Sequence, residues 1–424
     1  MNAHPHPRSS RVIIGFAPGE ISSLVNRSVV EEHATEAAFL WRLREKAVRA
    51  PQYRLRHLAK LDMRLLAHLR GLQVAGRHGW RAAQTLLGDV SPGAMFVATF
   101  VAYSRSDGEE MHKLLLLALA EPALEPALRA GLAWLDEAVL TPVLIRLTRA
   151  AQASHRRIAL AVASARRNMV AVQIAQAAGD ADPALRARAM RSVGEMGDRS
   201  GLTLVRAGLR DADPACRFWA AWSMALLGDP AGAPALIDVI MTDIDRRAAA
   251  LETAVRCSEQ GCARDVIREL AASRDGLRDA IRAAGALGDP AVVPWLLDHL
   301  DDALHARAAG EAFSTLTGAD LEYLDLDRDP PPNAETSEPE EDSLRWPDPA
   351  ATRAWWMQQR ERFVAGRRYL CGELISADAT RTVLRDGFQR QRAAASIELV
   401  RAAGASPMFP VHERADWQRR RLAA

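Results

Sequence analysis

The chain has 424 residues, 55 Lys+Arg against 53 Asp+Glu, and a formal net charge of +2. So small a net charge supplies no global field toward nucleic acid or a membrane surface. The four cysteines, Cys216, Cys257, Cys262 and Cys371, show neither CxxC spacing nor disulfide density, which excludes a disulfide scaffold and fits a reducing compartment. The apolar runs at Val12-Ile13-Ile14 and at residues 114–120 are too short for a signal-peptide core or a bilayer span. A cytoplasmic protein is the expectation.

Residues 1–21 read as a flexible N-terminus. The region 22–120 reads as helical, with degenerate repeats. Ser22 or Ser23 can cap a long helix that runs to about Ala50, where Pro51 stops it. Leu55, Leu58, Leu61, Leu65, Leu69 and Leu72 then recur every three or four residues and predict an amphipathic helix ending near Gly76. Further helices follow over 79–88, 92–103 and 111–120, separated by Gly-Asp, Ser-Pro-Gly and Ser-Asp-Gly turns.

Between 121 and 320 the chain repeats itself. Helices near 124–135 and 158–167 begin the series. From residue 180 the punctuation is regular: Gly197-Asp198, Gly228-Asp229 and Gly288-Asp289 close successive units, Gly318 falls where the next should end, and Ser258 takes the one closing position without glycine. Glycine past the last apolar turn supplies a left-handed residue that ends one helix, and aspartate caps the next, with proline tolerated in its first turn. Each unit is thus a helical hairpin. One hairpin cannot bury its apolar face alone, so the units must stack. Deleting one whole unit, residues 211–241, is then expected to leave a folded protein, because neighbouring interfaces are quasi-equivalent.

Asp182-Pro183 with Arg186, Asp213-Pro214 with Arg217, and Asp243 with Arg247 resemble the short HEAT repeats first noted in phycobilin lyases. The resemblance implies an all-α, HEAT/armadillo-like α-solenoid, with the Asp and Arg residues forming a ladder between turns. About eight helical hairpins fit between Arg54 and Gly318. With helices 8–10 Å apart, such a body would be on the order of 70 Å long.

After Gly318 the pattern breaks. Residues 325–350, rich in Asp, Glu and Pro, read as an acidic linker, and 351–424 as a small helical C-terminal module. Its arginines, Arg381, Arg385, Arg390, Arg392 and Arg401, suit an acidic partner or a solvated face. The flanks Leu61-Asp62-Met63-Arg64, Arg368-Tyr369-Leu370 and 387–395 resemble an uncharacterised proteobacterial HEAT-repeat family. Genes of that family often lie near type VI secretion components, which implies an accessory or adaptor role.

Two surfaces are candidate partner sites. The first uses Trp219, Trp222 and Leu226, which share one side of their helix at positions held elsewhere by Arg188, Arg191 and Glu195, by Ala249, Glu252 and Arg256, or by Asp279, Arg282 and Ala286. It is expected on the convex face, where exposed tryptophans favour docking; lateral packing against adjacent helices, or cover by the chain's own tail through Trp355-Trp356, are the alternatives. The second, on the concave face, uses Arg206, Arg210, Asp238, Arg264, Arg268, Asp298 and Asp302. Their mixed signs argue against a phosphate-tracking channel. No P-loop appears, and the cluster Asp298, His299, Asp301, Asp302 and His305 matches no metal-ligand spacing. A non-enzymatic protein-binding scaffold or adaptor is therefore expected, with no cofactor or metal, and with a protein or a second copy of the chain as partner. The contrasting expectation is an enzyme with its site in the concave groove, glycosylase-like or bilin lyase-like.

Overall fold

Helix-forming stretches punctuated by glycine and by Asp-Pro or Ser-Pro pairs make the chain helical almost throughout. The computed structural model describes residues 25–106, 108–168, 171–331, 341–403 and 406–423. The first helices are α1 (Arg27–Ala47), α2 (Leu55–Val74) and α3 (Arg77–Leu87). Asn26 caps α1, its side chain accepting from the Ser28 amide at 3.2 Å; Ser22 and Ser23 lie outside the described residues. The six leucines of the α2 stripe are all buried, as an amphipathic period requires.

Hairpins follow. α4 (Pro92–Ser104) pairs with α5 (Gly108–Ala120), α6 (Glu125–Ala133) with α7 (Glu137–Thr148), and α8 (Ala153–Ala165) with α9 (Ala171–Ala178). Next come α10 (Pro183–Met196) with α11 (Leu202–Gly208), α12 (Pro214–Leu226) with α13 (Gly232–Thr242), α14 (Ile244–Cys257) with α15 (Gln260–Ala271), and α16 (Leu277–Leu287) with α17 (Val293–Asp298), before α18 (Ala306–Thr317) ends the series. The turn chemistry follows the spacing. Gly197, Gly228, Gly288 and Gly318 all have φ between 63° and 77°. Asp182, Asp213 and Asp243 accept from the amides of Leu185, Cys216 and Arg246. Where Ser258 replaces glycine the chain leaves the helix extended, and the serine hydroxyl donates back to the Ala254 carbonyl.

The Asp and Arg ladder is present in the middle units. Arg186 donates to both Asp211 oxygens at 2.8 and 2.9 Å and to the carbonyls of Asp180 and Ala181. Arg156 repeats this one unit earlier, on Asp180 and on the carbonyls of Ala150 and Ala151. Arg217 keeps the loop carbonyls of Asp211 and Ala212. Arg247 reaches Asp279 only at 3.9 Å.

The curvature comes from which helices touch. Consecutive first helices, α4, α6, α8, α10, α12, α14, α16 and α18, pack directly on one another, whereas among the described residues consecutive second helices do not, most of them packing mainly on the first helix of the following hairpin. In a bent stack the row in closest mutual contact lies on the shorter radius, so the first helices line the inside. The expected placement of the second helices on the concave face is therefore reversed. The bend also brings the ends of the array together: Arg54, between α1 and α2, pairs with Asp320, just beyond α18, at 2.6 Å. An extended rod of about 70 Å is thereby excluded.

The C-terminal residues form α19 (Pro349–Gln359), α20 (Ala377–Asp386), α21 (Gln389–Ala403) and α22 (Ala415–Ala423). They are not a detached module. α21 packs on α12 and α14, and α22 on α2. Ile397 and Val400 share a core with Trp222, Leu251 and Phe313. The last carbonyls of a helix lack internal partners, and those of the inner row receive the C-terminal segment. The Met408 amide donates to Glu195, the Tyr369 amide to Gly288, and the amides of Cys371 and Gly372 to Thr315 and Leu316. Arg368 donates to the carbonyls of Leu287 and Arg256, and Arg414 to that of Trp134, where a cation also complements the helix dipole. Buried Glu398 secures the contact, 3.4 Å from Arg256 and 2.6 Å from Arg368.

The expected acidic linker is fixed at both ends. β1 (Asp327–Arg328) pairs antiparallel with β2 (Trp346–Pro347), and Leu326 and Trp346 are buried. Glu341 is buried 2.6 Å from Arg278 and 3.5 Å from Arg282. Glu335, Glu338 and Glu340 lie outside the described residues.

Candidate functional site

The stripe of Trp219, Trp222 and Leu226 belongs to a first helix, and so it faces the interior rather than solvent on a convex face. Trp222 and Leu226 are only 8% and 1% exposed. Trp222 Nε1 donates to Thr253 Oγ1 at 3.0 Å. Trp219 stands edge-on to Trp222, with the Arg191 guanidinium 4.4 Å from its ring centre. Met408, Ile397 and Val400 of the C-terminal segment pack into the same cluster. Tryptophans on an inner helix bury large apolar area against whatever fills the bend, and here that is the chain's own tail. No exposed apolar docking patch exists at these three residues.

The seven polar candidates lie on or just after second helices and hence on the outside. Arg206 pairs with Asp229 at 2.6 Å, and Arg264 pairs with Asp289; each carboxylate caps the following unit. Arg268 is bound to Asp265 at 2.8 Å, and Asp302 to His305 at 2.7 Å. Arg210, Asp238 and Asp298 are exposed. The set is spread along the outer row and does not converge on a groove.

Convergence occurs on the inside. A cavity of about 300 Å³ lies between α6, α8, α10 and α12 and the segment 408–414. Ala130 and Ala133 on α6, and Ala161 and Ala165 on α8, leave the room; Trp222 and Phe409 supply apolar wall. Arg44, Arg129, Arg166, Arg167, Arg191 and Arg414 supply positive charge, and Glu45, Glu195 and Glu413 negative charge. Arg167 follows α8 in a left-handed conformation, φ 55°, which is uncommon for a non-glycine residue. It donates to the Met408 carbonyl at 2.6 Å and to that of Ser164. Glu195 accepts from Arg191 at 2.9 Å and from Arg188. Burial pushes the Glu195 carboxyl up, but Arg188, Arg191 and Arg167 together outweigh it and hold the pKa at about 2.

A second cavity, of about 240 Å³, lies between α14, α16, α18 and α21. Its charges alternate: Glu252, Asp279 and Glu311 stand against Arg256, Arg282 and Arg390. Burial raises the pKa of Glu311 against the pull of Arg390 and Arg282. Arg390 nonetheless donates to both of its oxygens, at 3.0 and 2.7 Å.

Residues 170–256, from α9 to α14, match the family model described as HEAT repeats. That stretch carries HEAT repeats. The matched stretch contains both the interior tryptophan stripe and the Arg188, Arg191 and Glu195 group. No curated protein matches the chain. Among the described residues no helix is long and apolar enough to cross a membrane. Beside the last HEAT unit, His299 and His305 stand with ring centres 6.4 Å apart, yet no described group of three or more His, Cys, Asp or Glu is placed to hold a metal ion. All four cysteines are free.

Sequence reasoning does not single out Arg129, Arg167 or Arg414 as part of a site. The signal that could have found part of it is positional. Arg188, Arg191 and Glu195 occupy the register of Trp219, Trp222 and Leu226, so a face assignment that buries the tryptophans buries this ionic group as well.

Proposed function

We propose that the chain is a non-enzymatic scaffold or adaptor that binds protein partners on the outer row of its HEAT hairpins. The observation that carries this is the occupied interior: the chain's own C-terminal segment lies along the inner helices through Met408, Ile397 and Val400, while on the outer row it touches only α15 and the α17 end, through Gln260 and Arg353 among the described residues. That row presents Arg210, Asp238, Arg268 and Asp298 to solvent, a mixed-sign surface suited to selective protein contact rather than to a polyanion. The resemblance of the flanks to a family encoded near type VI secretion components supports a cytoplasmic secretion-apparatus protein as the partner class. A second copy of the chain is the other partner to be tested.

Affinity capture from the native host with wild-type protein and with the Arg210→Glu/Arg268→Glu variant tests this reading. A defined set of proteins lost from the variant, with its helical circular dichroism unchanged, supports it. Identical capture by both proteins overturns the outer-row assignment. The contrasting enzyme reading has its best residue in Glu311, whose pKa burial raises; its two-oxygen contact with Arg390 favours an ion pair that closes the ring.

A further inference from the structure

The 300 Å³ cavity beneath residues 408–414 has more positive charge than its own carboxylates can satisfy. On α6, Glu125 receives both nitrogens of Arg157, at 2.7 and 2.6 Å. Arg129 therefore approaches it only at 3.5 Å, with a buried Nε that has no hydrogen-bond partner among the described residues. On α10, Arg188 and Arg191 share the single carboxylate of Glu195. The Arg188 side chain is 10% exposed, and its Nε too is buried without a hydrogen-bond partner. Arg167 directs its hydrogen bonds to carbonyls. Of the other carboxylates in the lining, Glu413 is taken by Arg421 and Glu45 stands 3.9 Å from both Arg44 and Arg49, so Arg129, Arg167 and one of the pair Arg188 and Arg191 have no carboxylate of their own.

The electrostatics agree. Burial lowers the pKa of Arg129, Arg167 and Arg188, and other arginines push each further down: Arg188, Arg157 and Arg191 act on Arg129, Arg188 and Arg421 on Arg167, and Arg191 on Arg188, with Glu125 opposing at Arg129, Glu195 and Glu413 at Arg167, and Glu195 at Arg188. Like charges held at this density in a partly closed space lose stability unless an anion joins them. Guanidinium forks match the oxygens of a phosphate or carboxylate. Alanines, Trp134, Val162, Trp222 and Phe409 supply the apolar part of the lining, beside the charged Arg44, Glu45, Arg166, Glu413 and Arg414, and the volume stands at the small end of the range of small-molecule sites.

We propose that this cavity binds a small organic anion: a phosphate or carboxylate group held by Arg129, Arg167 and Arg191, with an apolar or planar body seated against Trp222, Phe409 and the alanines of α6 and α8. The ligand class differs from the protein partner of the outer row. Because residues 408–414 form one wall, the bound anion also fastens the C-terminal segment to the inner helices.

The test uses the full chain in a low-salt buffer, with inorganic phosphate, adenosine monophosphate and benzoate as probes and sodium chloride at matched ionic strength as control. Thermal unfolding and isothermal titration are the readouts. Adenosine monophosphate, benzoate or both should raise the unfolding temperature beyond the salt control and bind at least tenfold more tightly than inorganic phosphate, the arm that binds identifying the head group. Arg129→Gln leaves the Glu125 and Arg157 pair intact and should weaken that binding at least tenfold. Ala130→Leu, which fills the cavity without changing charge, should abolish it and serves in place of Arg129→Gln if the latter fails to fold. The proposal is overturned if no probe exceeds the salt control, if inorganic phosphate binds as tightly as the ring-bearing anions, or if the folded variants bind as wild type does.

Discussion

Arg54 and Asp320, separated by 266 residues, meet at 2.6 Å. The same arginine donates to the Asp386 carbonyl at 2.5 Å and stacks 3.8 Å from the centre of the Phe388 ring. One side chain thus joins the first hairpin, the end of the last unit and the C-terminal segment. Arg54→Ala should cost about 2–4 kcal/mol in urea unfolding and enlarge the radius of gyration in X-ray scattering. Asp320→Asn should cost less, because it leaves the Asp386 and Phe388 contacts in place. Equal stability and equal size for all three proteins would show that the junction does not hold the ring.

Closure changes what a HEAT unit can tolerate. In an open solenoid, residues 211–241 are removable because each unit touches only its neighbours. Here α10, α14, α16 and α18 each hold a different part of the C-terminal segment through Glu195, Arg256, Leu287 and Thr315. Loss of one unit shifts the site on α10 relative to those on α14, α16 and α18, so the segment cannot meet all four. The deletion is therefore expected to unfold at lower urea and with a broader transition than the parent; a transition as sharp and as late would restore the open-solenoid picture.

Glu195 should keep its charge to lower pH than an ordinary glutamate does. Its pKa falls from 4.5 in the unfolded chain to about 2 in the folded protein. A depressed carboxylate contributes stability that is present above the unfolded value and lost as pH falls through the folded one, here from 4.5 toward 2. The contribution is on the order of 3 kcal/mol. Glu195→Gln should be destabilised at pH 7, where it leaves Arg188 unpaired, and should converge on wild type only as pH falls to about 2. Urea unfolding at several pH values checks this, and parallel curves for the two proteins would count against it.

The closing glycines divide into two classes. Gly228 and Gly288 both have positive φ, 75° and 71°. A Cβ at Gly228 would meet nothing within 4 Å, whereas one at Gly288 would collide with the Tyr369 carbonyl. Asparagine accepts the left-handed conformation, so Gly228→Asn should cost less than about 1 kcal/mol. Gly288→Asn must also displace residue 369 and should cost about 2–4 kcal/mol. Thermal unfolding separates the two, and equal losses would mean that only the backbone angle matters.

The difference between these glycines also marks what the sequence could and could not disclose. Caps, left-handed turns and the leucine period of α2 are local, and each was legible from residues a turn apart. The tryptophan stripe was legible as a stripe, but which side of the stack it faced was not, because that depends on packing between successive hairpins. Arg392 shows the remaining gap. Its basic helix reads as a solvated face, yet the side chain is fully buried, donating to the Leu384 carbonyl and to Gln389 and Gln418. Arg390 is likewise taken by Glu311, and Arg401 by Glu398. The contacts with Glu311 and Gln418 join residues remote in sequence, and no local periodicity encodes them.

The seating of Met408 beside Trp222 has a consequence for biogenesis. A protein is made from its N-terminus, so the inner helices leave the ribosome well before the residues that cover them. At ordinary elongation rates the interval between Trp222 and Met408 is on the order of 10 s or more. Throughout that time the nascent chain carries an uncovered tryptophan-bearing trough, and any factor that shelters it must release it when the last segment arrives.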